Sequence, residues 1–253
     1  MKKRLDLLLV ERGLAESRAQ AQALVLAGRV PGHAKAGEQV DEAVELVVER
    51  PPRYVSRGGE KLEHALDALG VSVQDERCLD VGASTGGFTD CLLQHGAAHV
   101  IALDVGYGQL HPRLRDDERV TVLERLNVRH LTDLDYSPDL VTCDVSFISL
   151  RTALPPALAR AAPGWQALVL VKPQFEAGRA EVKRGVVRDA AVHARVVREI
   201  SEAALGWNAC VAGVVDSGLP GPKGNREFFL HLVHDDNPRL PDELDAWIAA
   251  AVR

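Results

Sequence analysis

The chain contains 253 residues, has a hydrophobic content of 46% and carries a formal net charge of −6. These values are typical of a globular protein with one medium and one small domain, and they argue against intrinsic disorder. No apolar run approaches the roughly 20 residues that a membrane-spanning helix needs.

Cysteine and histidine spacing argues against a metal site. The cysteines at positions 78, 91, 143 and 210 each lie in or beside an apolar run, and none forms a C-x-x-C pair. We therefore expect buried thiols, no disulfide framework and no bound metal. The apolar stretch after the basic start of the chain is too short for a secretory signal, so we expect a cytoplasmic protein, and we expect a monomer.

Charge is distributed unevenly along the chain. Residues 1–35 and residues 179–198 are each net positive, whereas acidic residues collect near the C-terminal end. This segregation fits a basic face for a polyanion on an otherwise acidic body. The alternative is that both basic segments are ordinary solvated surfaces.

The predicted first domain, residues 1–50, has an α+β pattern. A first helix begins near Leu5 and ends at Gly13. A second helix begins at the capping box Ser17–Gln20 and ends at Gly28. Alternating apolar residues then predict short strands between positions 40 and 48.

This first domain resembles the S4 RNA-binding domain. The matching runs are Arg4-Leu5-Asp6, Ser17-Arg18-x-x-Ala21-Gln22 and Gly28-Arg29-Val30. The resemblance implies that Arg4, Arg18 and Arg29 face the phosphate backbone of structured RNA. The run Val30-Pro31-Gly32-His33 departs from the usual Val-x-Val-Asn-Gly turn of the family, so we expect an irregular strand there.

A second domain, residues 60–253, is predicted to follow a linker at 51–59, where Pro51-Pro52 makes a stiff break. Strands and helices alternate in this part of the chain, which predicts a mostly parallel, doubly wound, Rossmann-like sheet. The predicted strands are Cys78–Val81, His99–Leu103, Leu140–Cys143, Ala167–Val171, Val211–Val215 and Phe228–Val233.

A glycine-rich loop after the first of these strands indicates a cofactor site. Glycine lets the backbone approach a ligand closely, and an acidic residue at the end of the next strand, here Asp104, can accept hydrogen bonds from ribose hydroxyls. The start Asp80-x-Gly82 and the absence of a strict G-x-G-x-x-G order favour S-adenosylmethionine over a dinucleotide. The predicted cofactor contacts are Asp80, Gly82, Ala83, Ser84, Thr85, Gly86, Gly87, Phe88, Asp104 and Asp144.

Four charged residues stand where an α/β transferase would place reactive groups. Lys61 lies at the edge of the apolar stripe of the helix before the sheet, and Asp144 and Lys172 follow predicted strands. Carboxyl ends of parallel strands share one edge, so Asp144 and Lys172 should face the same crevice as the glycine loop. Glu227 precedes the last strand and joins them if that strand is antiparallel.

This pattern resembles the FtsJ-like RNA ribose 2′-O-methyltransferases with their Lys-Asp-Lys-Glu tetrad and, with the S4-type domain, the TlyA family of rRNA 2′-O-methyltransferases, also labelled hemolysins. The matching runs are Ser56-Arg57-Gly58-Gly59-Glu60-Lys61-Leu62, Asp80-Val81-Gly82-Ala83-Ser84-Thr85-Gly86-Gly87-Phe88, Asp144-Val145-Ser146-Phe147-Ile148-Ser149, Lys172-Pro173-Gln174-Phe175-Glu176, Gly185-Val186-Val187-Arg188-Asp189 and Gly224-Asn225-x-Glu227. In the interdomain tetrapeptide of the family, Pro52 and Tyr54 replace the usual arginine and tryptophan.

The resemblance implies methylation of a ribose, with cytidine as the nucleoside and ribosomal RNA or ribosomal subunits as the partner. A ribose hydroxyl becomes a good nucleophile only when it loses its proton, and a lysine accepts that proton only if its pKa falls below its usual value of about 10.4. We interpret Lys172 as the base and Lys61 as a second cation that steers the hydroxyl. Asp144 would orient Lys172 and help to hold the cofactor near its sulfonium, and Glu227 would fix Lys61.

Other functions stay open at this point. An N-methyltransferase would need an Asn/Asp-Pro-Pro-Tyr/Phe loop in place of Cys143-Asp144-Val145-Ser146, and a cytosine C5 enzyme would need a cysteine nucleophile, whereas strand alternation turns Cys143 away from the direction of Asp144. An RNA-binding module on an inactive fold and a membrane-active hemolysin are the remaining alternatives. Beyond the first domain, we expect RNA contacts from Arg57, Arg184 and Arg188.

Overall fold

Two compact units make up the chain, residues 1–53 and residues 54–253. The computed structural model describes residues 2–49 and 52–253, so Pro51 of the predicted stiff break lies outside the described residues. The second unit begins inside the predicted linker 51–59, and its first helix already starts at Arg57. This early start has a local cause, because the Ser56 hydroxyl accepts a hydrogen bond from the Gly58 N–H at 3.3 Å and caps the helix.

The first unit combines two helices with a two-stranded ladder. Helices α1 (Leu5–Glu11) and α2 (Arg18–Leu26) lie where the sequence predicts them, and the Ser17 hydroxyl caps α2 by accepting from the Gln20 N–H at 3.2 Å. The elements are β1 (Lys2–Arg4), α1 (Leu5–Glu11), α2 (Arg18–Leu26) and β2 (Gln39–Asp41), with β1 antiparallel to β2. The sequence did not predict β1, and no strand forms at residues 44–48, where apolar side chains pack onto the helices without a ladder partner.

A buried carboxylate organises the first unit. Asp6 is fully buried and accepts hydrogen bonds from Arg4 Nε at 3.0 Å, Arg18 Nε at 2.9 Å and Gln22 Nε2 at 3.0 Å. Hydrogen bonds from Arg4 hold the pKa of this carboxyl well below its usual range, with Gln22 and Arg18 adding to the effect. Asp6 therefore ties β1, α1 and α2 together.

Replacing Asp6 with asparagine should destabilise this unit by about 1–3 kcal/mol, because the amide cannot accept the same set of charged hydrogen bonds. Hydrogen exchange on the whole chain should then show faster exchange at α1 and α2 amides and unchanged exchange in the second unit. Unchanged protection of both helices would contradict a stabilising role for Asp6.

The second unit is built on a seven-stranded sheet. In chain order its strands are β3 (Arg77–Val81), β4 (His99–Leu103), β5 (Val120–Leu123), β6 (Leu140–Cys143), β7 (Gln166–Val171), β8 (Ala209–Asp216) and β9 (Phe228–His234). Their order in the sheet is β5-β4-β3-β6-β7-β9-β8. Strands β3 to β7 are parallel, whereas β9 is antiparallel to both β7 and β8. The doubly wound fold is thus confirmed, with β5 as an additional edge strand.

Helices cover both faces of this sheet and enclose two apolar clusters. The helices are α3 (Arg57–Leu69), α4 (Gly87–Gln94), α5 (Pro112–Arg115), α6 (Leu150–Leu158), α7 (Pro173–Glu176), α8 (Ala190–Ala204) and α9 (Leu244–Ala251). The strand order changes direction at β3, whose neighbours β4 and β6 lie on opposite sides. In open α/β sheets, this switch point is where a ligand crevice forms at the carboxyl ends of the strands.

Candidate active site

The four residues of the predicted tetrad meet at the carboxyl edge of the sheet. Lys61 projects from α3, Asp144 follows β6, Lys172 follows β7 and Glu227 immediately precedes β9. Because β9 is antiparallel to β7 and pairs Phe228 with Val171, its beginning lies beside the end of β7. All four side chains line one cleft of about 340 Å³.

Two ion pairs organise this cleft. Lys61 Nζ lies 2.5 Å from Glu227 Oε2, and Lys172 Nζ contacts Asp144 Oδ1. The Lys61 and Glu227 side chains are 9% and 0% exposed, whereas those of Lys172 and Asp144 are 11% and 25% exposed. The first pair is therefore enclosed, whereas the second pair is more open because a quarter of the Asp144 side chain is exposed.

Two neighbouring residues extend the tetrad, and the sequence analysis assigned them no role. Gln174 Nε2 donates to Glu227 Oε1 at 3.3 Å, and Lys172 Nζ donates to Ser146 Oγ at 3.1 Å. The backbone of Gly221 also approaches Glu227, since a Cβ on Gly221 would lie 2.2 Å from Oε1. Their position in the sequence could have indicated a role, because Gln174 and Ser146 each lie two residues beyond a predicted tetrad member.

A second, larger cavity of about 610 Å³ adjoins the cleft and shares Gly82, Ser84 and Asp144 with it. Loops that follow β3, β4, β5 and β6 line this cavity, as expected for the switch point of the sheet. Its volume falls in the range of about 300–1,000 Å³ that small-molecule sites occupy. The lining includes Asn127 and Arg129, for which the sequence offered no motif.

Asp104 lies in the larger cavity, directly after β4. Its Oδ2 accepts from the Ser84 N–H at 2.8 Å, and its Oδ1 accepts from the Gly106 N–H at 2.6 Å. Both bonds fix the carboxylate, and each oxygen keeps a lone pair for a further donor. This arrangement suits a carboxylate that binds the two hydroxyls of a ribose.

The glycine loop passes tightly over the end of β6. Gly82 has a φ of +86°, and a Cβ there would lie 2.5 Å from the carbonyl oxygen of Asp144, so only glycine fits. Ala83, Thr85, Gly87 and Phe88 line the tetrad cleft. Gly86 does not line either cavity, because it faces α5, where a Cβ would lie 2.3 Å from Leu114 Cδ1.

Asp80 does not reach the cavity in which the sequence analysis placed it. The residue is fully buried beneath the glycine loop, where its carboxylate accepts from Thr89 Oγ1 at 2.7 Å and from Thr142 Oγ1 at 3.0 Å. Strand alternation is the cause, since Asp80 is a residue of β3 itself and not of the loop that follows it. Asp80 therefore supports the loop from below and connects α4 with β6.

Burial raises the pKa of Asp80 to about 6, so the folded protein binds this proton more tightly than the unfolded chain. The contribution of Asp80 to stability should thus be largest in acid and should decrease as the pH rises through about 6. We expect the stability difference between wild type and Asp80→Asn to follow this trend in unfolding titrations from about pH 4.5 to 7.5. A difference that is independent of pH would contradict it.

The arginines predicted to bind RNA occupy different environments. Arg4 and Arg18 are partly exposed but bonded to Asp6, and Arg29 is half-buried. Arg57 is exposed and lines the tetrad cleft, while Arg184 and Arg188 are exposed in the loop before α8.

The predicted basic segment 179–198 is less positive in the fold than in the sequence. Arg195 pairs with Glu181 and Glu199, and Arg198 contacts Asp245. Glu181 belongs to the segment itself, whereas Glu199 and Asp245 lie outside it and do not enter its net charge. The basic character is therefore concentrated in the loop before α8.

Cys143 is fully buried in β6, and burial raises the pKa of its thiol. It therefore lacks the exposure and the thiolate character of a nucleophile. Among the residues that the structure describes, no group of His, Cys, Asp and Glu side chains is arranged to bind a metal ion.

Comparisons with known proteins agree with this architecture. Residues 54–234 match the FtsJ-like methyltransferase family, and residues 3–30 match the S4 domain. The 16S/23S rRNA (cytidine-2′-O)-methyltransferase TlyA of Mycobacterium tuberculosis (strain ATCC 25618 / H37Rv) is 49% identical over 240 residues, which cover 90% of this chain and 89% of that protein.

Two further relatives carry a different label. Hemolysin A of Brachyspira hyodysenteriae is 38% identical over 91% of this chain and 99% of its own length. A solved Streptococcus thermophilus structure that is labelled a hemolysin superposes with a TM-score of 0.76 at 41% identity and covers 98% of this chain and 94% of that one. Within the described ranges 2–49 and 52–253, no helix combines the length and apolar character needed to cross a membrane.

The TlyA relative and Hemolysin A thus match this chain over 89% and 99% of their own length. The chain belongs to the FtsJ-like methyltransferase family and, together with its S4 domain, to the TlyA family.

Proposed function

We propose that this chain is an S-adenosylmethionine-dependent methyltransferase that modifies ribose 2′-hydroxyls of ribosomal RNA, with cytidine as the target nucleoside. The observation that carries the proposal is the pair of lysine–carboxylate contacts in a cleft that adjoins a nucleoside-sized cavity. The TlyA relative is named for this reaction, and the S4 domain supports an RNA substrate. An rRNA substrate also supports the expected cytoplasmic location.

The larger cavity has donors and acceptors that suit S-adenosylmethionine. The fixed carboxylate of Asp104 would bind the ribose hydroxyls, and the bare backbone at Gly82 leaves room for the ligand. Asp144 belongs to both cavities, so its negative charge would favour a cationic sulfonium at their junction. When it is bound there, S-adenosylmethionine would supply an electrophilic methyl group.

We infer distinct roles for the two lysines. Lys172 faces the open part of the cleft and would accept the proton of the 2′-hydroxyl, while Asp144 and Ser146 hold its Nζ in place. Lys61 would steer the hydroxyl oxygen; Glu227 holds that cation in position, and Gln174 donates in turn to Glu227. The chain would thus align the oxygen for an in-line displacement, where much of the rate comes from alignment.

A binding module on an inactive fold is the second candidate, but nothing in the cleft favours it, because all four charged side chains are present and paired. A membrane-active hemolysin is the third, and a liposome-leakage assay would detect it. The assay and the methylation experiment below separate the three functions.

Mapping ribose methylation in rRNA tests the proposal directly. Purified chain and labelled S-adenosylmethionine are incubated with isolated small and large ribosomal subunits, and modified positions are located by the resistance of 2′-O-methylated riboses to alkaline hydrolysis. We expect methylated cytidines that are absent when the chain is omitted. A lack of transfer to both subunits, or a methyl group on a base, would overturn the proposal.

The exposed arginines before α8 should contribute to RNA affinity. Changing both Arg184 and Arg188 to glutamate should weaken binding and reduce the slope of log affinity against log salt by at least about 1.5, since two phosphate contacts are lost. Binding to ribosomal subunits is measured at several salt concentrations, with Arg239→Glu as a control on another exposed part of the unit. Unchanged affinity at low and moderate salt would exclude the two arginines from the interface.

A further inference from the structure

The loop before α8 contains a two-residue hairpin with an arginine at its tip. Lys183 and Val186 exchange both backbone hydrogen bonds, each at 3.0 Å, and form an isolated antiparallel bridge. Arg184 and Gly185 between them have φ angles of +54° and +82°. Positive φ at both central residues is the mark of a type I′ turn. We name residues 183–186 the arginine hairpin.

Arginine is an unfavourable residue for the first central position of this turn. Asparagine, aspartate and glycine adopt positive φ with less strain and are strongly preferred in type I′ turns. Arg184 is nevertheless exposed, and among the described residues its side chain has no ion pair or hydrogen bond that would compensate for the backbone conformation. The identity of this side chain thus serves something other than the stability of the turn.

A buried asparagine connects the arginine hairpin to the region of the tetrad. Asn225 is 3% exposed, and its Nδ2 donates to the carbonyl oxygen of Gly185 at 2.9 Å and to that of Pro222 at 3.1 Å. Its Oδ1 accepts from the Val187 N–H at 3.2 Å. The amide nitrogen therefore connects the tip of the hairpin with the 221–225 turn, and the amide oxygen binds the residue that follows the hairpin.

The histidine of α8 completes this attachment. His193 Nε2 contacts the Val187 carbonyl oxygen at 3.0 Å, and its ring packs 5.5 Å from the ring of Phe228, the first residue of β9. Val187 is itself 2% exposed. Both backbone polar groups of Val187 are therefore bonded to side chains, which attaches the end of the hairpin to Asn225 and, through His193, to β9.

The 221–225 turn also borders the tetrad. Pro222 lines the tetrad cleft, and the Gly221 N–H donates to the Asn225 carbonyl oxygen at 2.8 Å. Gly221 packs directly against the Glu227 carboxylate, which binds Lys61. A continuous chain of contacts thus leads from the exposed Arg184 to the buried Glu227.

We propose that Asn225 is a positioning residue that couples the binding of an RNA phosphate by Arg184 to the placement of Glu227 and, through it, of Lys61. This inference rests on the proposed rRNA methyltransferase function. RNA on the arginine hairpin would hold the 221–225 turn in the position in which Glu227 and Lys61 are correctly aligned. Coupling of this kind raises the rate of the chemical step with bound RNA and not only the affinity for RNA.

A double-mutant cycle tests the coupling. Arg184→Asn removes the cation and introduces a residue that suits the turn, so the hairpin should persist; Asn225→Ala removes the connection. With ribosomal subunits and S-adenosylmethionine both saturating, we expect each single variant to lower kcat about tenfold and the double variant to lower it no more than about twofold beyond Asn225→Ala. Arg184→Lys should retain most of the wild-type kcat, and Arg239→Asn is the matched control.

Other outcomes separate the inference from the proposed function. A roughly hundredfold loss in the double variant, or an effect of Arg184→Asn on KM alone, would overturn the coupling while leaving the methyltransferase assignment intact. An inactive wild-type chain would instead count against the assignment itself. If Asn225→Ala does not fold, His193→Phe replaces it in the cycle, because it keeps a ring next to Phe228 and removes the contact with Val187.

Discussion

Replacing Lys172 with alanine is expected to lower methyl transfer to ribosomal RNA by about three orders of magnitude, within the range that a general base contributes. Lys172 contacts Asp144 and Ser146 at the open side of the cleft, whereas Asp104 and Gly82 line the larger cavity. Affinity for S-adenosylmethionine should therefore remain within about threefold of wild type. Single-turnover transfer with labelled cofactor and calorimetric titration of the cofactor measure the two effects.

Arginine at the same position provides the control. Lys172→Arg keeps a cation beside Asp144, but a guanidinium stays protonated and cannot act as a base. We expect it to be nearly as inactive as the alanine variant although it preserves the local charge. Full activity in either variant would remove Lys172 from the role of base, and activity in the arginine variant alone would assign it an electrostatic role.

Replacing Lys61 with methionine should lower the free energy of unfolding by about 3–5 kcal/mol and also abolish transfer. The Glu227 side chain is fully buried. In the variant it would keep the hydrogen bond from the Gln174 side chain but lose its cation. Loss of one partner of a buried ion pair leaves an uncompensated charge away from water, which is strongly destabilising. Denaturant unfolding followed by circular dichroism gives the change in stability.

The double variant Lys61→Met with Glu227→Gln separates stability from chemistry. A neutral glutamine can still accept from Gln174, so most of the lost stability should return. Activity should stay absent, because the cation that steers the hydroxyl is missing. Recovery of methyl transfer together with stability would show that the Lys61–Glu227 pair is only structural.

The architecture of the second unit was accessible from the sequence because its signals are local. The buried strands β4 and β7 contain continuous apolar runs that end at the polar residues Asp104 and Lys172, and parallel strands bring such ends to one edge. β5 escaped detection because it is a four-residue edge strand whose residues are all only half-buried. The predicted position of Glu227 beside the other three tetrad residues required an antiparallel last strand, and β9 is antiparallel to β7.

Side-chain detail was harder to predict, because it depends on residues that are distant in sequence. Asp80 lies in the predicted strand, but its carboxylate bonds to Thr89 and Thr142 and is a buried support instead of the predicted ligand contact. Gln174 could be read as part of a matching run, but its bond to Glu227 crosses 53 positions. The same limit applies to Arg198, whose acidic partner Asp245 comes from the last helix.

The insertion of β9 between β7 and β8 determines at which stage of synthesis the active site can form. Lys61 and its partner Glu227 are 166 positions apart, and the strand that follows Glu227 forms ladders with both neighbours. During synthesis the earlier strands can assemble well before that strand leaves the ribosome. A nascent chain therefore has no completed reaction centre until its last strand closes the sheet, and truncation upstream of β9 would yield a catalytically silent fragment.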